Sequence, residues 1–225
     1  MRNYIKDLSF HHEGINQKIV DSFVRKKKVK SYECSYDFVT ILDKNYPRKL
    51  LDLSDPPMIL YYQGDLGLLN ENCISVVGSR RPNEYAIQET RRLVESIRDD
   101  YVIVSGLAYG IDVTAHEEAL NHQTIAVLGC GLSHVYPKQH EKIQKNIAKK
   151  HLLITEFPEN TGAKKYHFPI RNRIIASLSE KIIIMAGSEK SGTMHTANIA
   201  LELNKQIYCL PYRIDEISGK ACNML

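Results

Sequence analysis

The sequence predicts an α/β fold: an extended Rossmann-like, doubly wound, mostly parallel sheet with helices on both faces. Three observations predict it. From Ile74 onward, short and nearly continuous apolar runs alternate with helical patterns, which is how strands buried on both faces read. Glycine-bearing turns close those runs. The length, 225 residues with 43% hydrophobic content, fits one such domain with a modest extension.

Residues 1–45 are expected to form a short, helical N-terminal extension. Their helical pattern is weak, and they carry the basic run RKKKVK from Arg25 to Lys30. That run reads as a solvated helix face or tail, or as an auxiliary phosphate contact. Residues 46–225 are expected to form the Rossmann-like domain. It opens with YPRKLLDLSDPPMILYYQGDLGLL, where Pro56 and Pro57 stop any helix and lead into an extended segment. Strands are then predicted at Ile74–Val77, Val102–Ser105, Thr124–Leu128, Leu152–Glu156, Lys181–Met185 and Gln206–Leu210. Between them, Ala86, Thr90, Leu93, Val94 and Ile97 recur at helical spacing, as do Ala197, Ala200 and Leu201.

Net charge is +4 and the pI about 8.7, a mildly basic balance compatible with a nucleic-acid partner. Five cysteines are scattered without a CxxC pair, which favours reduced thiols and a cytoplasmic setting over a disulfide framework or metal site. No apolar run approaches the roughly 20 residues that cross a bilayer, and MRNYIKDLSFHHEG lacks the apolar core of a signal peptide.

In such a sheet, ligands sit at the carboxyl ends of the strands. Four turns there carry chemistry. In VVGSRRPNEYA, Gly78 permits a sharp turn, Ser79 offers a hydroxyl, and Arg80 and Arg81 offer guanidinium forks suited to phosphate. SGLAYGID brings Ser105, Gly106 and Gly110 to a helix expected to be capped by Asp112. GCGLSHVYP opens space above the sheet with small residues. Ser191, Gly192 and Thr193 stand at a further helix start. Neither G-x-G-x-x-G nor the P-loop pattern is present, which argues against NAD and ATP; no cofactor and no metal are expected.

The segment KKYHFPIRNRIIASLS, from Lys164 to Ser179, combines cations and an aromatic with a proline suited to open a helix at Pro169. Lys165 and Phe168 beside one helix start suit a phosphate and a base together. At 100° per residue, Arg171 falls on the apolar arc of Ile170, Ile174, Ile175 and Leu178, so it reads as a buried strut, with Glu156 as its expected partner. Asn172 and Arg173 point away, Arg173 toward phosphate or toward solvent. His167 and His195 are expected to flank the same crevice, while Asp112 and His116 read as a cap and salt bridge rather than a catalytic dyad.

Together these runs resemble the DNA-processing protein A family (DprA, also called Smf). The matching segments are YPRKL, DPPMILYYQG, VVGSRRPNEYA, SGLAYGID, TIAVLGCGL, ITEFP, FPIRNRIIASLS, SGTMHTA and IYCLP, in the family's order from Tyr46 onward. The resemblance implies a protein that binds single-stranded DNA, forms homodimers and helps load RecA recombinase in natural transformation, without catalytic activity. It assigns the DNA pocket to Arg80, Lys165 and Phe168. The wider set of expected DNA contacts adds Ser79, Arg81, Ser105, Gly106, Asn172, Arg173, Ser191, Gly192 and Thr193. Ala86, Ser177, Met185, Tyr212 and Ala221 depart from the family's usual residues, and the domain is expected to be truncated at Leu225, short of its last elements and any winged-helix module.

The alternatives are a nucleotide-cleaving enzyme resembling the cytokinin-activating phosphoribohydrolases, or a small-nucleotide sensor on a related scaffold. In the enzyme family the turn PGGxGTxxE supplies a catalytic glutamate. Here Thr196 occupies that position, which leaves the acid/base step without an agent.

Overall fold

Eight strands form a single sheet in the order β1-β2-β6-β5-β4-β3-β7-β8. The structure is a computed structural model and describes residues 1–225. The six strands expected from apolar runs are present as β3 (Cys73–Val77), β4 (Val102–Ser105), β5 (Thr124–Val127), β6 (Leu152–Thr155), β7 (Lys181–Ile184) and β8 (Gln206–Cys209). All six are parallel. β2 (Ile59–Gly64), which follows Pro56 and Pro57, adds antiparallel to β6, and β1 (Asp37–Thr40) adds antiparallel to β2. The sheet thus begins at Asp37, ahead of the boundary expected at Tyr46.

Helices cover both faces. On one face α6 (His167–Leu178) and α7 (Gly192–Glu202) bury Ile174, Ile175, Leu178, Ala197 and Ala200 against Val104, Ile125, Val127 and Ile182. On the other, α3 (Glu84–Ile97) and α4 (Ile111–Ala119) pack on β3 and β4 through Ala86, Val94, Ile111 and Ala115. Beside them α5 (Glu141–Lys150) and the N-terminal pair α1 (Arg2–His11) and α2 (Asn16–Val24) cover β2 and β6 through Ile5, Leu8, Ile19, Ile143 and Ile147. A short α8 (Lys220–Met224) closes the chain. The basic run follows α2 as exposed, non-helical chain, turned by Lys26 at φ 52°.

The connections position the site. From β3 the chain steps outward through β4, β5 and β6, then crosses back in α6 to start β7 on the opposite side of β3. The strand order therefore reverses between β3 and β7, and that switch point opens a crevice outside the carboxyl ends of the strands.

Two local expectations change. α6 starts at His167, so Pro169 sits inside its first turn, where a missing N–H still costs no hydrogen bond. α4 takes Gly110, at φ 73°, as its N-cap; Asp112 lies within the first turn and accepts from the Ala108 N–H at 3.4 Å.

Candidate nucleic-acid interface

The crevice at the switch point has a volume of about 920 Å³. Its walls come from the turns after β3 and β7, the first turns of α6 and α7, and the loop before α8. Ser79, Arg80, Arg81, Lys165, Phe168, Asn172, Ser191, Gly192 and Thr193, all expected DNA contacts, line it.

The β3–α3 turn is set by close packing. A Cβ on Gly78 would lie 2.6 Å from Ile111 Cγ1, so only glycine passes α4 there. Ser79 Oγ accepts from the Arg81 N–H at 3.0 Å, and Asn83 caps α3 by accepting from Ala86 N at 3.0 Å. Arg80 and Arg81 project from this braced turn as exposed cations. The Arg80 guanidinium lies over the Phe168 ring, 4.9 Å from its centroid. The ring rests on Gly129, whose Cβ, if present, would come within 2.9 Å of it. Lys165 is exposed at the same wall.

Beneath this surface Arg171 is 3% exposed. Its Nη1 donates to the carbonyls of Gly106 and Val127 at 2.6 and 2.5 Å, tying α6 to the ends of β4 and β5. Burial lowers its pKa to about 10, partly restored by the nearby carboxylate of Asp112. Burial raises the Asp112 pKa in turn, and Arg171 opposes that rise.

The expected Arg171–Glu156 pairing is corrected. Glu156 instead accepts from Arg173, at 3.2 and 2.7 Å, and Asp55 adds a carboxylate oxygen 3.7 Å from the same guanidinium. Two residues of helix turn the direction by about 200°, so Arg171 faces the strand ends while Arg173 faces the loop before β2. Arg173 is therefore committed to carboxylates outside the crevice, neither a free phosphate contact nor a solvated side chain.

Ser105 is corrected as well. It is buried, and its hydroxyl donates to the Val76 carbonyl at 2.7 Å. Gly106 lies under Arg171, whose guanidinium fills the space a side chain would need, and lines only a narrow hollow beneath Phe168. Neither histidine flanks the crevice. His167 is buried, stacked 4.0 Å from Phe157 with Nδ1 3.1 Å from the Gly129 carbonyl oxygen, and burial lowers its pKa. His195 lines a different groove, beside Asp55 and Ile199. Asp112 and His116 form no bonded pair: His116 Nδ1 meets Thr124 Oγ1 at 2.7 Å. Lys164 pairs outward with Glu13 at 2.7 Å, which separates it from Lys165.

Sequence reasoning missed several lining residues. Tyr136 stands in the VYP run, where its ring approaches Phe168 at 5.2 Å, and the Asn83 amide donates to Ser218 Oγ at 3.1 Å. The capping position of Asn83 ahead of Glu84 was a readable signal; the approach of Ser218, distant in sequence, was not. Glu216 also lines the crevice and accepts from Ser218 Oγ at 2.6 Å. The exposed cations of the crevice are Arg80, Arg81 and Lys165. Two of the departing residues meet each other: the Tyr212 phenol donates to the Met185 carbonyl at 2.7 Å.

Fold and crevice together define a doubly wound α/β protein with a cationic, aromatic-floored cleft at its switch point. The sequence profile of the DNA recombination-mediator protein A family matches residues 37–225, and the chain belongs to that family. It is 41% identical over 177 residues to DNA processing protein DprA of Bacillus subtilis, covering 77% of this chain and 60% of that one. Against DNA processing protein DprA of Streptococcus pneumoniae it is 37% identical over 188 residues, covering 83% and 67%. The crystal structure of DNA processing protein A from Streptococcus pneumoniae superposes with a TM-score of 0.83 at 33% identity, over 92% of this chain and 74% of that one. A structure concerning the single-stranded DNA binding mode of DNA processing protein A from Helicobacter pylori superposes with a TM-score of 0.78 at 34% identity, over 85% and 87%. No helix is long and apolar enough to cross a membrane.

Proposed function

We propose that this chain binds single-stranded DNA in the switch-point crevice as a recombination mediator. On this reading it protects the strand and hands it to RecA recombinase during natural transformation, working as a homodimer in the cytoplasm. The observation that carries the DNA reading is the cluster of Arg80 and Lys165 around the Phe168 ring. Cations take phosphates and the ring takes a base, a combination that tolerates any sequence. The Helicobacter pylori relative supports the ligand, and the family's recombination-mediator description supports a role in DNA recombination.

Binding is favoured over cleavage by the state of the carboxylates. Asp112 is buried beside Arg171, and Glu216 is bonded to Ser218. Thr196, at the position of the enzymes' glutamate, donates its hydroxyl to the Gly192 carbonyl at 3.2 Å. None of these is poised as a general acid or base.

Charge reversal tests the proposal. Lys165→Glu and Arg80→Glu should each weaken binding of labelled oligo-dT strongly in fluorescence anisotropy while leaving the melting temperature near the parent's. If both variants unfold, the residues are structural and the pocket is misplaced.

A further inference from the structure

Phe168, itself half-buried, has two exposed aromatic rings near it. Tyr136, from the loop after β5, lies 5.2 Å from it with the ring planes inclined by 37°, and is 43% exposed. Tyr109, from the turn after β4, is 40% exposed. Its phenol donates to Gln139 Oε1 at 2.5 Å, and its ring meets that of His140 edge-on at 5.0 Å. His140 is itself held by the Leu107 carbonyl at 2.9 Å. Tyr109, Tyr136 and Phe168 line one narrow hollow, continuous with the main crevice through Arg80, Tyr136 and Phe168, which line both.

We propose that Tyr136 and then Tyr109 are stacking platforms for the nucleotides next to the one whose base sits on Phe168. This rests on the single-stranded DNA reading and extends it from one base to a short track. Both rings are already immobilised, Tyr109 by its hydrogen bond and edge contact and Tyr136 against Phe168. Ordering them on binding therefore costs little. The 5.2 Å between Phe168 and Tyr136 exceeds the roughly 3.4 Å rise per nucleotide of a duplex strand, so the row suits a strand drawn out rather than helically stacked. Arg80 stands beside Phe168, and exposed Lys138 follows Pro137, which lines the hollow. Together they alternate phosphate contacts with ring faces, as a sequence-tolerant single-strand track requires.

Oligomer length separates the track from the pocket. A labelled thymidine dinucleotide reaches only from Phe168 to Tyr136, and an oligo-dT of about six nucleotides spans the row. Tyr109→Ala should weaken the longer oligomer by about five-fold or more and leave the dinucleotide unchanged, Tyr136→Ala should weaken both, and each variant should retain the parent's melting temperature. Tyr136→Phe should bind both as the parent does. Unchanged affinity of both alanine variants for the longer oligomer overturns the inference, as does equal loss at both lengths for Tyr109→Ala; the rings would then serve the fold or a protein partner. Failure of the parent to bind either oligomer overturns the DNA reading itself, and the track with it.

Discussion

The guanidinium of Arg80 covers the ring of Phe168 at 4.9 Å, which places a phosphate ligand and a base platform in one contact. A base that stacks on this ring exchanges the cation–π contact for its own, and the freed guanidinium faces the strand. Phe168→Ala should therefore cost about 1–3 kcal/mol in oligo-dT binding, with the salt dependence kept. Arg80→Gln should instead flatten the dependence of log K on log salt by about 0.7. Anisotropy titrations at several salt concentrations read both; a flattened slope for Phe168→Ala would contradict this division of labour.

The Arg173–Glu156 pair is a test of stability rather than binding. Its side chains are 11% and 3% exposed. Arg173→Met should destabilise the fold by about 3–5 kcal/mol at neutral pH, because Glu156 is left buried without its counter-charge. Burial raises the Glu156 pKa and Arg173 opposes the rise, so the variant's pKa climbs further. A raised carboxyl contributes stability below its unfolded pKa and loses it as pH rises through the folded one. The variant's deficit should shrink as pH falls into the carboxylate range. Urea unfolding at mildly acidic and neutral pH measures it, and a pH-independent deficit would refute the assignment.

Those two arginines also show what was legible in sequence. Helical spacing placed Arg171 on the buried arc, and it is buried. The same spacing is silent on partners, because Asp55 and the end of β6 reach Arg173 only through the tertiary fold. Five of the six parallel strands were legible because burial on both faces makes each a nearly continuous apolar run, whereas β8 is an edge strand whose residues alternate between exposed and half-buried. β1 was not: Asp37–Thr40 is a short edge strand in a polar segment, and its pairing with β2 is non-local. Ser105 and Gly106 stand at a crevice-forming turn, yet Arg171 lies over Gly106 and the Ser105 hydroxyl is turned onto the Val76 carbonyl, packing facts no motif states.

Gly106 gives the sharpest steric prediction. A methyl group there overlaps the Arg171 guanidinium, which is already fixed by two carbonyls. Gly106→Ala should lower stability by about 1–3 kcal/mol or more and, by displacing α6, weaken oligo-dT binding as well. Urea midpoints and anisotropy check the two effects; a variant with parent-like stability would mean Arg171 is not the rigid strut described.

His116 is a buried, neutral imidazole. Thr124 Oγ1 donates to the Ile103 carbonyl at 2.7 Å, so it accepts from His116 Nδ1–H, and Nε2 has no partner. Burial lowers the pKa from 6.5 to about 3. A depressed pKa gives stability that is complete above the unfolded value of 6.5 and lost as pH falls toward about 3. The loss approaches about 1.4 kcal/mol per pH unit within that window. His116→Asn should remove this component, so the parent's stability should fall faster with acid than the variant's. Identical pH slopes in urea unfolding would contradict it.

The most direct measurement is a titration of the parent protein with labelled oligo-dT and, in parallel, with AMP, at two salt concentrations. Contacts from Arg80, Arg81 and Lys165 predict tight oligomer binding with a log–log salt slope of about −2, and no release of adenine from AMP. AMP binding without oligomer binding, or adenine release, would contradict the account.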